Sequence, residues 1–300
     1  MKRVCMVKKI LFCAGLMSQH LQAQPDAGKL KSRIQEKIAA ADGHFAVAFK
    51  HLDKPASFVF IREKESFHAA STMKTPVMME VFKQAKAGKF HLADSVTVKN
   101  EFRSIAENSM YRMDVSDDSA EEMYQRIGQR MTIQDLVFQM ITVSSNLATN
   151  LLIGMVGAGN VTNTMGELGA KDMRVLRGVE DQKAFDKGWN NTVTAYDLLV
   201  VYEKLARGQV INEQASAEMV RILSAQKHNR MIPARLPKEV KVAHKTGEIT
   251  GVRHDSGIVY LPDGQRYVLV LLSKNLTKPD EGVRMMAEIS EMIHEFVVAE

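Results

Sequence analysis

The chain contains two Ser-x-x-Lys tetrads, Ser71-Thr72-Met73-Lys74 and Ser224-Ala225-Gln226-Lys227. On a helix, residues i and i+3 share one face. A lysine amine placed there reaches the serine hydroxyl, and a buried lysine with a depressed pKa can take the hydroxyl proton. Ser71 at a helix start would also sit at the positive end of the dipole, which favours a developing oxyanion. The plainer account of such a pair is an N-cap serine beside a solvated lysine. For Ser224, in the polar run SAQKHNR, the plainer account stands.

Two more groups follow Ser71. Ser144-Ser145-Asn146 lies inside MITVSSNLATNLLI. Serine at a helix start is an ordinary cap, but a second hydroxyl and an amide also suit a proton shuttle and a substrate hydrogen bond. Lys245-Thr246-Gly247 lies in AHKTGEITG. A strand lysine and threonine supply a cation and a hydroxyl for a carboxylate, and glycine lets a substrate approach the backbone. No Gly-x-Ser-x-Gly elbow is present, so an α/β-hydrolase triad through His254 or Asp255 is a poor competitor.

These groups need elements to hold them. Residues 27–41 place Leu30, Ile34 and Ile38 at helical spacing. HFAVAFKHL and ASFVFIRE read as two strands joined at Asp53 to Pro55. Roughly 72–212 is helix-rich: TMKTPVMMEVFKQAKAG with Gly88 at its end, TIQDLVFQMITVSSNLATNLLIGMVG, and TAYDLLVVYEKLARG ending at Gly208. Strands return as VKVAHKTG, GVRHDSGIVYL and QRYVLVLLSK, separated by glycine-containing turns, before an amphipathic helix, EGVRMMAEISEMIHEFVVA. The expected fold class is α/β: one antiparallel sheet built from both termini and flanked by helices, plus an all-α lobe. The expected division is 24–86 and 213–300 for the α/β sandwich and 87–212 for the lobe, forming a single catalytic unit with a cleft between them.

The chain has 300 residues, 45% hydrophobic and 25% charged, which excludes disorder and small disulfide scaffolds. Its net charge of +5 is concentrated at the start: Lys2, Arg3, Lys8 and Lys9 precede any acid. Without them 36 basic residues face 35 acidic ones, which gives no argument for a nucleic-acid partner. MKRVCMVKK followed by ILFCAGLM reads as a signal peptide over 1–23, cut after Ala23, so a periplasmic or extracellular location is expected. Both cysteines, Cys5 and Cys13, fall within it, leaving no thiolate nucleophile and no cysteine metal site downstream. Phe12 before Cys13 argues against a lipid anchor. No later run has 18 uninterrupted apolar residues, so no membrane span is expected. The 19 methionines are read as core filler, not as metal ligands. No metal or cofactor is expected, and the protein is expected to be a monomer.

The three motifs, in this order and each in a suitable element, resemble those of class A β-lactamase-like serine hydrolases of the penicillin-recognising superfamily. The resemblance spans nearly the whole chain after residue 23. It implies that Ser71 is the acylated nucleophile, Lys74 its proton partner and Ser144 the relay to the leaving nitrogen. It further implies that Asn146 binds the substrate amide and that Lys245 and Thr246 hold a carboxylate. Gly247 leads into an oxyanion hole formed by the backbone N–H groups of Ser71 and Glu248. Arg253 would add a second positive charge, with His254 as an alternative. The implied substrate is a small-molecule β-lactam or a peptidoglycan-like peptide. The implied activity is that of a β-lactamase. A D-alanyl-D-alanine peptidase or esterase, or a silent penicillin- or peptidoglycan-binding module, are the alternatives. Two departures stand out. Ser145 occupies the place where these enzymes usually have aspartate. Glu180 matches the deacylating glutamate, but the asparagine expected four residues later is Ala184, so either Asn190 or Asn191 would hold the water or no residue would. Asp181 is a fallback carboxylate.

Overall fold

The computed structural model describes residues 26–300, so the signal peptide expected over 1–23 lies outside the described residues. Helix α1 (Ala27–Ala39) begins where the Asp26 carboxylate caps the Gly28 and Lys29 amides, and it buries the expected Leu30, Ile34 and Ile38. Strands β1 (His44–His51) and β2 (Phe58–Ile61) form an antiparallel hairpin with Val47 opposite Ile61. The short strand β3 (Phe67–His68) leads to a 3₁₀ turn, Ala70–Met73, which runs directly into α2 (Lys74–Lys86). Ser71 is therefore in the 3₁₀ turn and Lys74 opens the α-helix. Gly88, at φ +77°, takes the chain out of α2.

The middle of the chain starts with two small ladders, β4 (Ser95–Thr97) with β7 (Arg130–Thr132) and β5 (Phe102–Arg103) with β6 (Met110–Tyr111). Then come α3 (Ile133–Thr142), α4 (Asn146–Val156), α5 (Ala158–Glu167) and the short α6 (Gln182–Asp186). Strand β8 (Thr192–Val193) pairs with β3 and precedes α7 (Ala195–Ala206) and α8 (Glu213–Ser224). The helical stretch expected over 132–157 divides in two. Ser144 has φ +62°, outside the right-handed helix, and Ser145 recaps the chain by accepting from the Ala148 amide.

Strands β9 (Lys241–Ile249), β10 (Val252–Tyr260) and β11 (Arg266–Lys274) form a meander, and α9 (Pro279–Ala299) follows. The sheet order is β2-β1-β11-β10-β9, antiparallel throughout. The β1–β11 pairing, from His44 opposite Lys274 to His51 opposite Tyr267, joins the two ends of the chain in one sheet as expected. Alternate residues serve opposite faces. Val47, Phe49, Leu269 and Leu271 pack with Ile34 of α1 and Ile289 and Ile293 of α9. Ala46, Ala48, Val268 and Val270 pack toward α2, α3, α4 and α7. Each buried large aliphatic side chain contributes about 1.5–3 kcal/mol, so both faces are needed. No helix among the described residues is long and apolar enough to cross a membrane.

The edge strand β9 is covered by the 3₁₀ turn and by α8. A Cβ at Gly247 would stand 3.2 Å from the Ser71 amide nitrogen, the Ala70 Cβ and the Thr72 Cγ2. Glycine is what allows the strand edge to lie against the turn that carries Ser71.

Candidate active site

Lys74 is fully buried at the start of α2. Its Nζ donates to the Ser144 carbonyl at 2.7 Å, to the Ser144 hydroxyl at 3.1 Å and to Asn146 Oδ1 at 2.8 Å. An ammonium has three N–H donors, and these partners use all three; the Ser71 hydroxyl is not among them. Burial pushes the Lys74 pKa down to about 7, while the Asp118 and Glu180 carboxylates pull it back up. Near neutral pH a large share of Lys74 is then the free amine. That form keeps two N–H groups and presents a lone pair to a neighbouring hydroxyl.

Ser144 Oγ has a second cationic neighbour, Lys245 Nζ at 3.0 Å, which also donates to the Thr246 carbonyl at 3.0 Å. Lys245 is buried, and both burial and the Lys74 charge push its pKa down. One hydroxyl, at the break between α3 and α4, thus bridges a lysine from α2 and a lysine from β9. The backbone is held away from its preferred regions around these groups: Ala70 has φ +45°, Ser144 +62° and Glu180 +58°. Such residues cost on the order of 1–3 kcal/mol each and persist only where their surroundings over-determine them.

Glu180 is brought in by the loop between α5 and α6. Its Oε1 accepts from Asn146 Nδ2 at 3.3 Å. Burial and the Asp117 charge push the Glu180 pKa up, and Lys74 and Arg177 oppose the rise. The loop is clamped from α4, where Asn150 Oδ1 accepts from the Val179 amide at 2.7 Å and Nδ2 donates to the Val179 carbonyl at 2.9 Å. Asn191 accepts from the Leu176 and Arg177 amides and donates to the Arg177 carbonyl. Asn190 accepts from the Arg177 guanidinium at 2.9 Å. The side chains considered as water holders therefore fasten the loop. Asp181 is committed as well: its oxygens accept from the Ser104 hydroxyl and the Ile105 and Ala184 amides. It caps α6 and is not a spare base. Ala184 is buried within α6.

A cleft of about 340 Å³ opens here, lined among others by His68, Ser71, Asn146, Glu180, Phe185 and Glu248. Thr246, two residues before Glu248 on β9, is buried and is not among the lining residues. Arg253 is not on its wall. The Arg253 guanidinium donates to the Ile249 and Val252 carbonyls and pairs with Glu248 at 2.7 Å. His254 is buried, donates to the His68 carbonyl at 2.8 Å, and has its pKa pushed down to about 4 by burial. It is neutral at neutral pH and ties β10 to the segment before Ser71, so it offers no second cation. Ser224 ends α8 and donates to the Val220 carbonyl at 2.8 Å, so it is not the N-cap that the plainer account expects, while Lys227 is exposed as that account has it.

The model of the β-lactamase enzyme family matches residues 29–297. The chain belongs to that family. Among solved structures, a β-lactamase from Sphaerobacter thermophilus is 24% identical with a TM-score of 0.77, covering 89% of this chain and 97% of its own. PBP-A is 26% identical with a TM-score of 0.77, covering 89% and 95%. A β-lactamase from Chitinophaga pinensis is 19% identical with a TM-score of 0.76, covering 89% and 98%. A comparison with curated proteins gives no match. The fold is that of the β-lactamases, and the protein is a β-lactamase-like hydrolase.

Two residues of this family member escaped the sequence. Asp118 accepts from the Asn146 and Leu147 amides at the start of α4, and Asn150 holds the Glu180 loop. Neither lies in a motif. Asp118 is 27 positions from the serine it faces, and Asn150 is 29 from the valine it clamps. At such separations nothing local in the chain marks the partnership.

Proposed function

We propose that this protein is a secreted serine β-lactamase that opens the lactam through an acyl-enzyme on Ser71. The observation that carries the reading is the buried Lys74, whose amine is bonded to Ser144 and Asn146 and is partly deprotonated near pH 7. In the proposed sequence the Ser71 oxygen attacks the lactam carbonyl as its proton passes to Lys74. The backbone N–H groups of Ser71 and Glu248 hold the oxyanion. The carbon–nitrogen bond breaks as the proton moves from Lys74 through Ser144 to the leaving nitrogen; the Ser144 hydroxyl contact with both lysines supports this relay. Lys245 and Thr246 receive the substrate carboxylate, and Asn146 the substrate amide. Arg253, off the cleft wall and paired with Glu248, would serve a substrate carboxylate only where that carboxylate displaces Glu248. Glu180 then removes a proton from the water that releases the product. Its raised pKa makes it a stronger base than an exposed carboxylate. The basic and apolar segments over 1–23 support export.

A penicillin-binding peptidase or esterase is the second reading. It is favoured by Ala184, which offers no side-chain amide to a water beside Glu180, and by the likeness to PBP-A, a variant of which is described as an acyl-enzyme complex with penicillin G.

Intact-protein mass spectrometry during incubation with penicillin separates these readings. A transient adduct with turnover is expected for the parent, a persistent adduct for Glu180→Gln, and none for Ser71→Ala, whereas Ser224→Ala should behave as the parent. A persistent adduct on the parent would favour the second reading. Labelling of Ser71→Ala, or unchanged turnover by Glu180→Gln, would reject the corresponding role.

A further inference from the structure

Asp118 belongs to none of the three motifs, yet its carboxylate is buried against the second of them. One oxygen accepts from the Ala120 and Asn146 amides, each at 3.0 Å, and the other from the Leu147 amide at 2.8 Å, with the Ser145 hydroxyl 3.5 Å away. Asn146 and Leu147 open α4, so two donors that no helix carbonyl can satisfy end on one carboxylate. A negative charge is favoured at that helix terminus. A second observation concerns Asn146, which joins this carboxylate to the site. Its backbone N–H donates to Asp118, and its side-chain oxygen accepts from Lys74.

We infer that Asp118 is a positioning residue for proton transfer: from an upstream loop it supplies the carboxylate that Ser145 does not, fixing the Ser144–Asn146 turn and keeping a negative charge beside Lys74. The inference rests on the reading of Ser71 and Lys74 as the acylating pair. The other charged groups acting on this region are Lys245 from β9 with Asp255 of β10 behind it, Glu180 and Arg177 from their loop, and Asp117 next in the chain; Tyr124 faces Asp118 from the 3₁₀ segment Glu121–Arg126. Asp118 and Glu180 are the two carboxylates that favour the protonated form of Lys74. Removing the Asp118 charge therefore lowers the Lys74 pKa, and the acid limb of acylation moves to lower pH. Loosening the Ser144 turn slows the step at every pH.

The test uses the full chain as Asp118→Asn and as the exchange Asp118→Ser with Ser145→Asp. Lys74 is titrated by NMR on protein labelled at the lysine ε-carbon, its signal assigned by its loss in Lys74→Met, with no substrate present. Single-turnover acylation by penicillin is then followed against pH. In Asp118→Asn the Lys74 midpoint should fall by about one pH unit, the scale of a lost neighbouring charge. The acid limb should fall with it, and the plateau rate should drop at least about tenfold. The exchange should return the midpoint and most of the rate, which a merely structural role for Asp118 would not do. An unchanged midpoint in Asp118→Asn overturns the inference, as does an exchange variant that fails to fold or to restore the titration. If Asp118→Asn itself does not fold, the exchange decides alone. A parent that penicillin never acylates would reject the lactamase reading, while the Lys74 titration would still decide the role of Asp118.

Discussion

Lys74 shows how one side chain acquires its chemistry from its surroundings. A lysine in water is an ammonium at neutral pH and cannot take a proton from serine. Burial lowers its pKa to about 7, and two carboxylates stop it from falling further. The acylation rate should therefore drop about tenfold for each pH unit below that midpoint and level off above it. Lys74→Arg keeps a charge but cannot be deprotonated in this range; it should acylate at least about a hundredfold more slowly than the parent's plateau, and without the acid limb. Stopped-flow acylation by penicillin from pH 5 to 9 measures both, and near-parental acylation in the arginine variant would remove Lys74 from the mechanism. Ser144 shows the same dependence on context. Its hydroxyl can serve as a relay because its backbone leaves the helix at φ +62° and faces two lysines.

Among the elements, the segment from Arg177 to Asp181 would decide the fate of the proposed acyl-enzyme. It has no regular structure around Glu180 and takes its shape from side chains of its neighbours. Asn150 of α4 satisfies both the N–H and the carbonyl of Val179, the residue before Glu180. A Cβ on Gly178 would overlap the Asn150 side chain, so the close approach requires glycine. Asn150→Ala leaves the half-buried Val179 N–H without this partner, at about 1–3 kcal/mol, while the Val179 carbonyl keeps only the Tyr111 hydroxyl at 3.1 Å. The expected result is a lower melting temperature and a deacylation rate that falls more than the acylation rate, because in the proposed mechanism only deacylation needs Glu180 in register. Burst kinetics with a chromogenic lactam resolves the two steps. An equal loss in both would mean that the clamp supports the whole fold and not this loop in particular.

For the molecule as a whole, the sheet separates two cores with different duties. The face toward α2, α3, α4 and α7 sets the positions of Lys74, Ser144 and Asn146, while the face toward α1 and α9 has no member in the cleft. Ile293 of α9 is fully buried in the second core. Ile293→Ala should cost about 2–5 kcal/mol of stability, read from urea denaturation, and leave the acylation rate per folded molecule unchanged when corrected by active-site titration. A changed rate constant would show that the α9 layer reaches the site. Gly247 marks where the sheet and the helical layer meet, since any side chain there would crowd the Ser71 amide.

The sequence by itself determined what depends on short range. The alternation in HFAVAFKHL and QRYVLVLLSK specifies strands, and Leu30, Ile34 and Ile38 specify a helix face. Gly88, Gly208, Gly251 and Gly264 mark the turns, each at positive φ in the structure. The Ser71–Lys74 spacing and the order of the three motifs nominated the chemistry. These signals survive in the chain because periodicity and turn geometry act within a few residues. Other features became visible only in the folded protein. Ser144-Ser145-Asn146 admits a helix cap in the chain, but the apolar pattern continues on both sides of it, so the break at Ser144 became definite only in the folded protein. Arg253 reads as a free cation in the chain but is paired with Glu248 across the β9–β10 hairpin. Asn190, Asn191 and Asp181 are spent on the Glu180 loop. Asp118 and the depressed pKa of Lys74 belong to the same class. Desolvation and hydrogen bonding between distant residues are properties of the packed surroundings, and a side chain carries no record of them until the sheet and the helices have closed around it.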